Sequence, residues 1–342
     1  MAADDSTIVE RRTDGGITTA PRAARAAEDA QSVLAAAQAL SGEIAARASE
    51  IEAARRLPLD LVDQLSAAGC FRLIVPRTHR GIGAGLPDAL RVFEELSRAD
   101  GSVGWTVALG ATAWCDLVGL PRATFDALYA DGPDVIIASV FNPTGTATKI
   151  ASGYRVSGRW AFASGCEHAH WLYGNCVEAD SDPMQLRTAV FAPSDVTIED
   201  TWYVEGLRGT GSHHFRVDDL TVSDERTYST LDAEPCLDTP MAHVPPPALF
   251  AACIASIALG IAQGALDEIL QMATTKVPLL GRAPLAANPL FQHDYAAAET
   301  DVRAARALLY RDVEDLWSIA VDGGEMSDPD RAHIRAMGTW VT

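Results

Sequence analysis

Hydrophobic residues in the first third of the chain recur at the spacing of amphipathic helices. After Pro87, apolar residues fall at i, i+3, i+4 and i+7, and this spacing puts them on one helix face. These residues are Ala89, Val92, Phe93 and Leu96. Residues 23–55, 58–69 and 102–117 carry similar patterns. We therefore predict an N-terminal helical domain over residues 23–131.

The segment before this domain has a different composition. Residues 1–22 are rich in Thr, Asp, Gly and Arg. A segment with so few apolar groups cannot offset the entropy cost of becoming ordered. The sequence thus predicts a disordered tail over residues 1–22.

After Asp131 the pattern changes to short β-branched and aromatic runs separated by turn-forming residues. The runs cover residues 135–140, 154–160, 172–177, 188–191 and 215–222. Strands so short and so close in sequence predict an antiparallel barrel or sandwich. We assign residues 132–235 to this central β domain.

Helical spacing returns in the last third of the chain. Segments 248–275 and 285–317 predict two long helices. A third helix is predicted to begin near Asp328 with Ser327 as its N-cap. Residues 236–342 therefore form a predicted C-terminal helical domain. Where three such parts meet they leave a crevice, and ligands commonly bind at domain junctions.

Composition and charge exclude several classes of protein. The 342 residues are 48% hydrophobic with a formal net charge of −19, which fits a soluble globular protein and disfavours a nucleic-acid partner. The longest apolar segment, 248–262, is interrupted by Ser256 and is shorter than the roughly 20 residues of a membrane span. Six cysteines without a CxxC pair indicate reduced thiols. We expect a cytoplasmic protein with no membrane partner.

The segment 160–171 combines aromatic residues, small residues and two histidines. On a strand, His168 and His170 would point to the same side, as two metal ligands must. The next carboxylate after Glu167 is Glu178, too far along the chain to complete a metal site of this kind. We predict no metal site, and histidines satisfied by backbone partners are the favoured interpretation.

Two glycine-rich segments resemble nucleotide-binding loops only superficially. Residues 81–85 contain three glycines at a spacing that does not match GxGxxG, and residues 206–212 lack the lysine of a phosphate loop. Both are predicted to be loops.

Three motifs in a fixed order point to a known family. They are Phe93–Trp105 (FEELSRADGSVGW), Gly153–Gly165 (GYRVSGRWAFASG) and Gly206–Ser212 (GLRGTGS). Together they resemble the acyl-CoA dehydrogenase superfamily, and within it the flavin-dependent two-component monooxygenases of the 4-hydroxyphenylacetate and 3-hydroxy-9,10-secosteroid hydroxylase type. The resemblance implies an α+β fold with an N-terminal helical domain, a central antiparallel β-barrel and a C-terminal helical bundle. It also implies that the bundle is truncated, because relatives continue beyond the position of Thr342.

The resemblance further implies a function. The chain is expected to be an oxygenase component that uses reduced flavin and O2 to hydroxylate a small aromatic or polycyclic molecule through a flavin C4a-hydroperoxide. A separate flavin reductase would supply the reduced flavin, with FMN favoured over FAD. A homotetramer is the family's usual assembly, and a dimer is the alternative.

Roles for individual residues also follow from the resemblance. Phe162, Ala163 and Ser164 would line the flavin ring, with the Ser164 hydroxyl reaching N5. Cofactor contacts are further implied for Val140, Phe141 and Asn142, and for Arg282, with Lys276 as its rival, at the flavin phosphate of a neighbouring subunit. His168 is the candidate base, and Trp105, Trp114 and Cys115 are the candidate substrate-pocket residues.

Two other functions remain open at this stage. An acyl-CoA dehydrogenase-type or nitroalkane-oxidase-like FAD enzyme needs a carboxylate base near the flavin, and residues 239–266 contain no Asp or Glu. A non-catalytic flavin-binding scaffold would lack flavin turnover altogether.

Overall fold

A computed structural model describes residues 19–279 and 281–342 of the chain. Its first helices are α1 (Thr19–Ala46), α2 (Ala48–Ala54), α3 (Leu59–Ala67), α4 (Leu86–Ala99), α5 (Gly101–Thr112) and α6 (Arg122–Leu128). The strands are β1 (Ile137–Ile150), β2 (Gly153–Ala163), β3 (Trp171–Glu178), β4 (Leu186–Phe191), β5 (Thr197–Glu199), β6 (His213–Val222) and β7 (Thr227–Ser229). The last helices are α7 (Pro246–Thr275), α8 (Pro289–Val321) and α9 (Asp328–Val341).

The helical, then β, then helical order agrees with the prediction. Residues 1–18 of the predicted tail lie outside the described residues, and α1 already begins at Thr19. The single helix predicted over residues 23–55 is divided at Arg47, whose backbone leaves the helical region. Ser327 caps α9 as predicted, because its hydroxyl accepts the backbone N–H of Asp330.

The central sheet is mixed rather than antiparallel. Its strand order is β5-β6-β2-β1-β3-β4-β7, and β1 pairs with β3 in parallel. The turn after β2 returns the chain to the start of β1, where the backbone N–H of His170 donates to the carbonyl of Ile136 at 2.8 Å. Strand β3 therefore runs in the direction of β1. The predicted antiparallel barrel is wrong, since the sheet is not closed and β5 and β7 form its two ends.

The indole of Trp160 organises the core of this sheet. A Cβ on Gly145 or on Gly174 would lie 2.3 or 2.4 Å from the Trp160 ring. Only glycine therefore leaves room for the indole at these two positions. The ring stacks on Phe215 at a centroid distance of 4.9 Å, and its Nε1 donates to the carbonyl of Asn175 at 2.8 Å.

Close backbone contact between α4 and α7 joins the two helical parts. A Cβ added at Gly260 would lie 2.2 Å from the carbonyl oxygen of Glu94. The Glu94 carboxylate also accepts hydrogen bonds from Arg306 and from the Tyr310 hydroxyl, both at 2.7 Å. These two hydrogen bonds connect helix α8 to α4, which packs against α7.

Within the described residues, α7 is the one helix with the length and apolarity of a membrane span. Half of the most apolar 18-residue segment of this helix is buried inside the protein. Buried residues such as Ala252 and Ile257 belong to the main hydrophobic core. One face of α7 thus packs in the core of the protein.

We predict that Gly260→Ala lowers the free energy of unfolding by about 1–3 kcal/mol, because the added methyl group forces α4 and α7 apart. Gly42→Ala is the matched control, since Gly42 lies in α1 and a Cβ added there would meet no neighbouring side chain or element within 4 Å. That change should stabilise the protein by about 0.5–1 kcal/mol through helix propensity. Urea unfolding of both variants measures the difference, and equal effects would show that the close α4–α7 approach is not needed.

Candidate active site

A cavity of about 630 Å³ lies where the three parts of the chain meet. Its walls come from α5 and the turn that follows it, from β1 and β2, from the loop 202–212 and from the start of α7. A cavity of this size falls in the range of about 300–1,000 Å³ that is typical of small-molecule sites. It is therefore the candidate active site.

Two irregularities in neighbouring strands form the β wall of the cavity. The register of β1 against β3 shifts between Val140 and Gly145, and the register of β2 against β6 shifts between Trp160 and Ala163. At the second shift Phe162 has a φ of 70°, a left-handed conformation that is uncommon for a bulky residue. This conformation directs the Phe162 ring out of the sheet, so that 65% of the side chain is exposed. Such bulges commonly re-aim side chains next to functional sites.

A chain of hydrogen bonds joins α5 to the end of β2. Trp105 Nε1 donates to Ser164 Oγ at 2.9 Å. Ser164 Oγ lies 2.7 Å from Ser212 Oγ, and Ser212 Oγ lies 2.6 Å from Thr210 Oγ1. Thr210 Oγ1 donates to the carbonyl of Leu207 at 2.9 Å.

The two ends of this chain determine the direction of every proton in it. Since the Leu207 carbonyl can only accept, the single Thr210 proton is used there, and Thr210 must accept from Ser212. Ser212 in turn accepts from Ser164. Ser164 therefore donates to Ser212 and accepts from Trp105, and its oxygen retains one lone pair for a donor in the cavity.

The sequence motifs explain why this arrangement forms. Asp100 caps α5 by accepting the backbone N–H groups of Ser102 and Val103 at 2.8 and 3.1 Å, which sets the start of the helix that carries Trp105. In the loop 206–212, a Cβ on Gly209 would lie 2.1 Å from the Ile51 side chain. The loop thus packs tightly on the helices and brings its hydroxyl groups to Ser164.

At the other end of the cavity, Asp116 is held by two tyrosines from the sheet. The Tyr173 hydroxyl donates to Asp116 Oδ2, and the Tyr228 hydroxyl donates to the Asp116 backbone carbonyl. Burial raises the pKa of the Asp116 carboxyl to about 6, although the hydrogen bond from Tyr173 acts in the opposite direction. The site thus contains a carboxylate that titrates close to neutral pH.

The structure brings together most of the residues expected at the flavin and some of those expected at the substrate. The predicted residues that line the cavity are Trp105, Val140, Phe141, Asn142, Phe162 and Ser164. Ala163 does not line the cavity, because its side chain points to the opposite face of β2 and is buried in the sheet core. Arg282 is exposed in the connection between α7 and α8, outside this cavity.

Trp114 and Cys115, expected in the substrate pocket, lie in the hydrophobic core instead. Their side chains are 1% and 6% exposed, and neither lines the cavity. The reason is that the helix tightens into a 3-10 turn, Ala113–Gly119, which directs Ala113 and Asp116 into the cavity.

His168, expected as the base, is also outside the cavity lining. It lies in a 3-10 turn, Cys166–His168, rather than on a strand, and burial lowers the pKa of its imidazole. His170 Nδ1 accepts the backbone N–H of Ile136 at 3.0 Å, as the backbone-partner interpretation predicts. The same interpretation is wrong for His168, because neither of its buried ring nitrogens has a hydrogen-bond partner among the described residues. Among the described residues, no group of three or more His, Cys, Asp or Glu is arranged to hold a metal ion.

Sequence reasoning missed Asp116, Thr210, Ser212 and Cys253, which also line the cavity. One signal for Asp116 was present in the sequence. It is the only charged residue between Asp100 and Arg122, in an otherwise apolar stretch. A lone carboxylate in such a stretch indicates either a paired buried charge or a site.

Comparison with known proteins places the chain in a family. A model of the acyl-CoA dehydrogenase N-terminal domain matches residues 27–119, and one of the acyl-CoA dehydrogenase C-terminal domain matches residues 252–342. The chain is 33% identical to the indole-3-acetate monooxygenase of Pseudomonas putida, over 81% of this chain and 71% of that protein. It is 32% identical to the oxygenase component of the FADH2-dependent resorcinol hydroxylase of a Rhizobium species, over 78% of this chain and 68% of that protein.

A solved structure supports the same grouping. The 3-HSA hydroxylase from Rhodococcus sp. RHA1 superposes with a TM-score of 0.84 at 28% identity, covering 91% of this chain and 82% of that one. The chain therefore belongs to the acyl-CoA dehydrogenase superfamily, among its flavin-dependent monooxygenases. The resemblance found in the three sequence motifs is confirmed.

The raised pKa of Asp116 predicts a pH-dependent stability difference. Because the folded pKa is about 6 and the ordinary value is 3.8, the unfolded state holds fewer protons between these values. The contribution of Asp116 to stability therefore falls as pH rises through this window. Asp116→Asn should be more stable than the parent by an amount that grows from near zero at pH 4 to at most about 3 kcal/mol above pH 6.

Urea unfolding at several pH values from 4 to 8 measures this difference. Asp322→Asn is the control, because Asp322 is exposed at the end of α8 and its variant should show a flat difference. A flat difference for Asp116→Asn as well would contradict the raised pKa.

Proposed function

We propose that the chain is the oxygenase component of a two-component flavin-dependent monooxygenase that hydroxylates an aromatic small molecule. It would take reduced flavin from a separate reductase and use O2 as co-substrate. One observation carries the proposal: the cavity combines an exposed aromatic wall at Phe162 with a free acceptor lone pair on Ser164. The named functions of the relatives agree with it.

The residues of the β wall fit a planar, partly apolar cofactor. Phe162 and Phe141 present exposed rings, and Val140 and Asn142 lie beside them on the bulged part of β1. Asn175 Nδ2 donates to the carbonyl of Phe141 at 2.9 Å, which anchors this irregular backbone. A wall with these properties would hold the flavin ring by apolar contact and by placed polar groups.

Ser164 would then hold the proton on flavin N5. In reduced flavin N5 carries a hydrogen, and the remaining Ser164 lone pair can accept it, since the Ser164 proton is directed to Ser212. Reduced flavin, when bound, supplies the electrons that activate O2 for transfer of one oxygen atom to the aromatic substrate. Ser164, held in place by the hydrogen bond that Trp105 donates to it, would thus act as a fixed acceptor that disfavours loss of the N5 proton and wasteful release of peroxide.

The assembly and location are part of the same proposal. Arg282 or Lys276, exposed after α7, would contact the flavin phosphate of a neighbouring subunit in a homo-oligomer, a tetramer or a dimer. The six free cysteines agree with a reducing cytoplasm. We propose FMN as the flavin, and FADH2, named for the resorcinol hydroxylase, is the alternative.

We predict that Ser164→Ala increases the rate of H2O2 release about tenfold when protein with photoreduced FMN is mixed with O2. The factor corresponds to the loss of one hydrogen bond of about 1–1.5 kcal/mol. Trp105→Phe, which removes only the donor to Ser164, should have a smaller effect in the same direction. A fluorogenic peroxide assay in a stopped-flow instrument measures the rate.

Ser223→Ala is the control, because Ser223 is exposed at the end of β6, away from the cavity lining. It should leave the rate unchanged. The parent protein is tested with reduced FMN and with reduced FAD. If it releases peroxide as fast as the free flavin does in both cases, the proposed function is wrong.

A further inference from the structure

Asp116 is the only charged side chain that lines the cavity among the residues that the structure describes. Tyr173 occupies its Oδ2, and no described residue donates a hydrogen bond to its Oδ1. Oδ1 is not sealed in the protein, because Asp116 is half-buried and its exposed part opens on the cavity. The cavity thus presents one strong acceptor that no part of the described chain uses.

The surroundings of Asp116 set the charge that a ligand can carry. Neighbouring residues of the wall are apolar or neutral, namely Leu109, Thr112, Ala113, Leu249 and Cys253, and no Lys, Arg or His lines the cavity among the described residues. An anionic group brought here would lose its hydration without gaining a cation, and it would meet a carboxylate. Such a ligand is therefore rejected, whereas a neutral donor gains a charge-assisted hydrogen bond.

The position of Asp116 along the helix separates it from Ser164, the residue proposed to contact flavin N5. Trp105, Leu109, Thr112 and Asp116 follow one face of α5 and its 3-10 extension. Asp116 follows Trp105 by roughly three helical turns along this face, so the carboxylate and the Ser164 hydroxyl that Trp105 contacts are separate polar groups of one cavity. The cavity therefore has a flavin end at Ser164 and a second polar end at Asp116.

We propose that Asp116 determines substrate specificity: its free carboxylate oxygen accepts the ring N–H or phenolic O–H of a neutral aromatic substrate, and it excludes aromatic carboxylates. The inference rests on the proposed function and names the substrate class of that site. It predicts that this chain does not bind indole-3-acetate, an anion at neutral pH for which the relative from Pseudomonas putida is named.

Three probes of similar shape test the proposal on protein without flavin, by isothermal titration calorimetry at pH 7.5. Indole carries a ring N–H, benzofuran has an oxygen in its place, and indole-3-acetate adds a negative charge. For the parent protein we expect indole to bind at least about tenfold more tightly than benzofuran, as one hydrogen bond to a charged acceptor predicts. Indole-3-acetate should show no measurable binding.

Asp116→Asn preserves the shape of the side chain and removes its charge. Tyr173 would donate to the amide oxygen, which leaves the amide NH2 to face the cavity. We expect the preference for indole over benzofuran to fall to about one, and binding of indole-3-acetate to become measurable. Asp322→Asn, which changes the net charge by the same amount but far from the cavity, should behave as the parent.

Equal affinity of the parent for indole and benzofuran, including no measurable binding of either, would overturn the proposal. So would an unchanged preference in a folded Asp116→Asn variant, with folding verified by its circular dichroism spectrum and unfolding midpoint. Because no flavin is present, these results are independent of the peroxide assay that tests the proposed function.

Discussion

The hydrogen bond from Trp105 to Ser164 joins the helical and β parts of the chain inside the candidate active site. It fixes the end of β2 relative to α5, and the hydroxyls of Ser212 and Thr210 continue it into the loop 206–212. Gly165 adds a backbone link, because its N–H donates to the carbonyl of Thr210 at 2.8 Å. Each of the three motifs that resemble the acyl-CoA dehydrogenase superfamily contributes a member to this chain of contacts. The three motifs therefore meet at one place in the fold.

The cavity combines rigid walls with few polar groups, and each polar group has a defined orientation. At one end, the terminal carbonyl of Leu207 sets the direction of the protons and leaves Ser164 as an acceptor. At the other end, Tyr173 and Tyr228 hold Asp116 from the sheet, and a Cβ on Gly119 would lie 2.4 Å from the Tyr228 ring. A glycine at position 119 is therefore needed for the tyrosine to reach the Asp116 backbone. Polar groups fixed in this way need little reorganisation when a ligand binds.

Much of the fold could be predicted because the patterns behind it are local. Periodic apolar residues such as Val92 and Leu96 indicate a helix, and Ser327 followed by Asp330 indicates its N-cap. The parallel pairing of β1 with β3 could not be predicted from strand composition, because it depends on where the turn at His170 returns the chain. The division of the long N-terminal helix at Arg47 has no Gly or Pro to signal it. There, ion pairs with Glu50 and Asp60 accompany the break.

The residues of the candidate site, too, could be predicted only where a local sequence pattern marked them. Phe162 and Ser164 were found through the motif. The positive φ that exposes Phe162 could not be predicted, because such a conformation is usually signalled by glycine and position 162 is a phenylalanine. Trp114 and Cys115 were misplaced because helical spacing was extended through a segment that tightens to a 3-10 turn. Asp116 and Ser212 could not be assigned to the site from the sequence, because the packing of elements that are distant in the chain brings them there.

The most direct test of the central claim uses reduced FMN labelled with 15N at N5, bound to the protein without oxygen. The account predicts a slowly exchanging N5–H signal in the 1H–15N spectrum that shifts and exchanges faster in Ser164→Ala. An N5–H that exchanges as in free reduced FMN, or that is the same in both proteins, would contradict it.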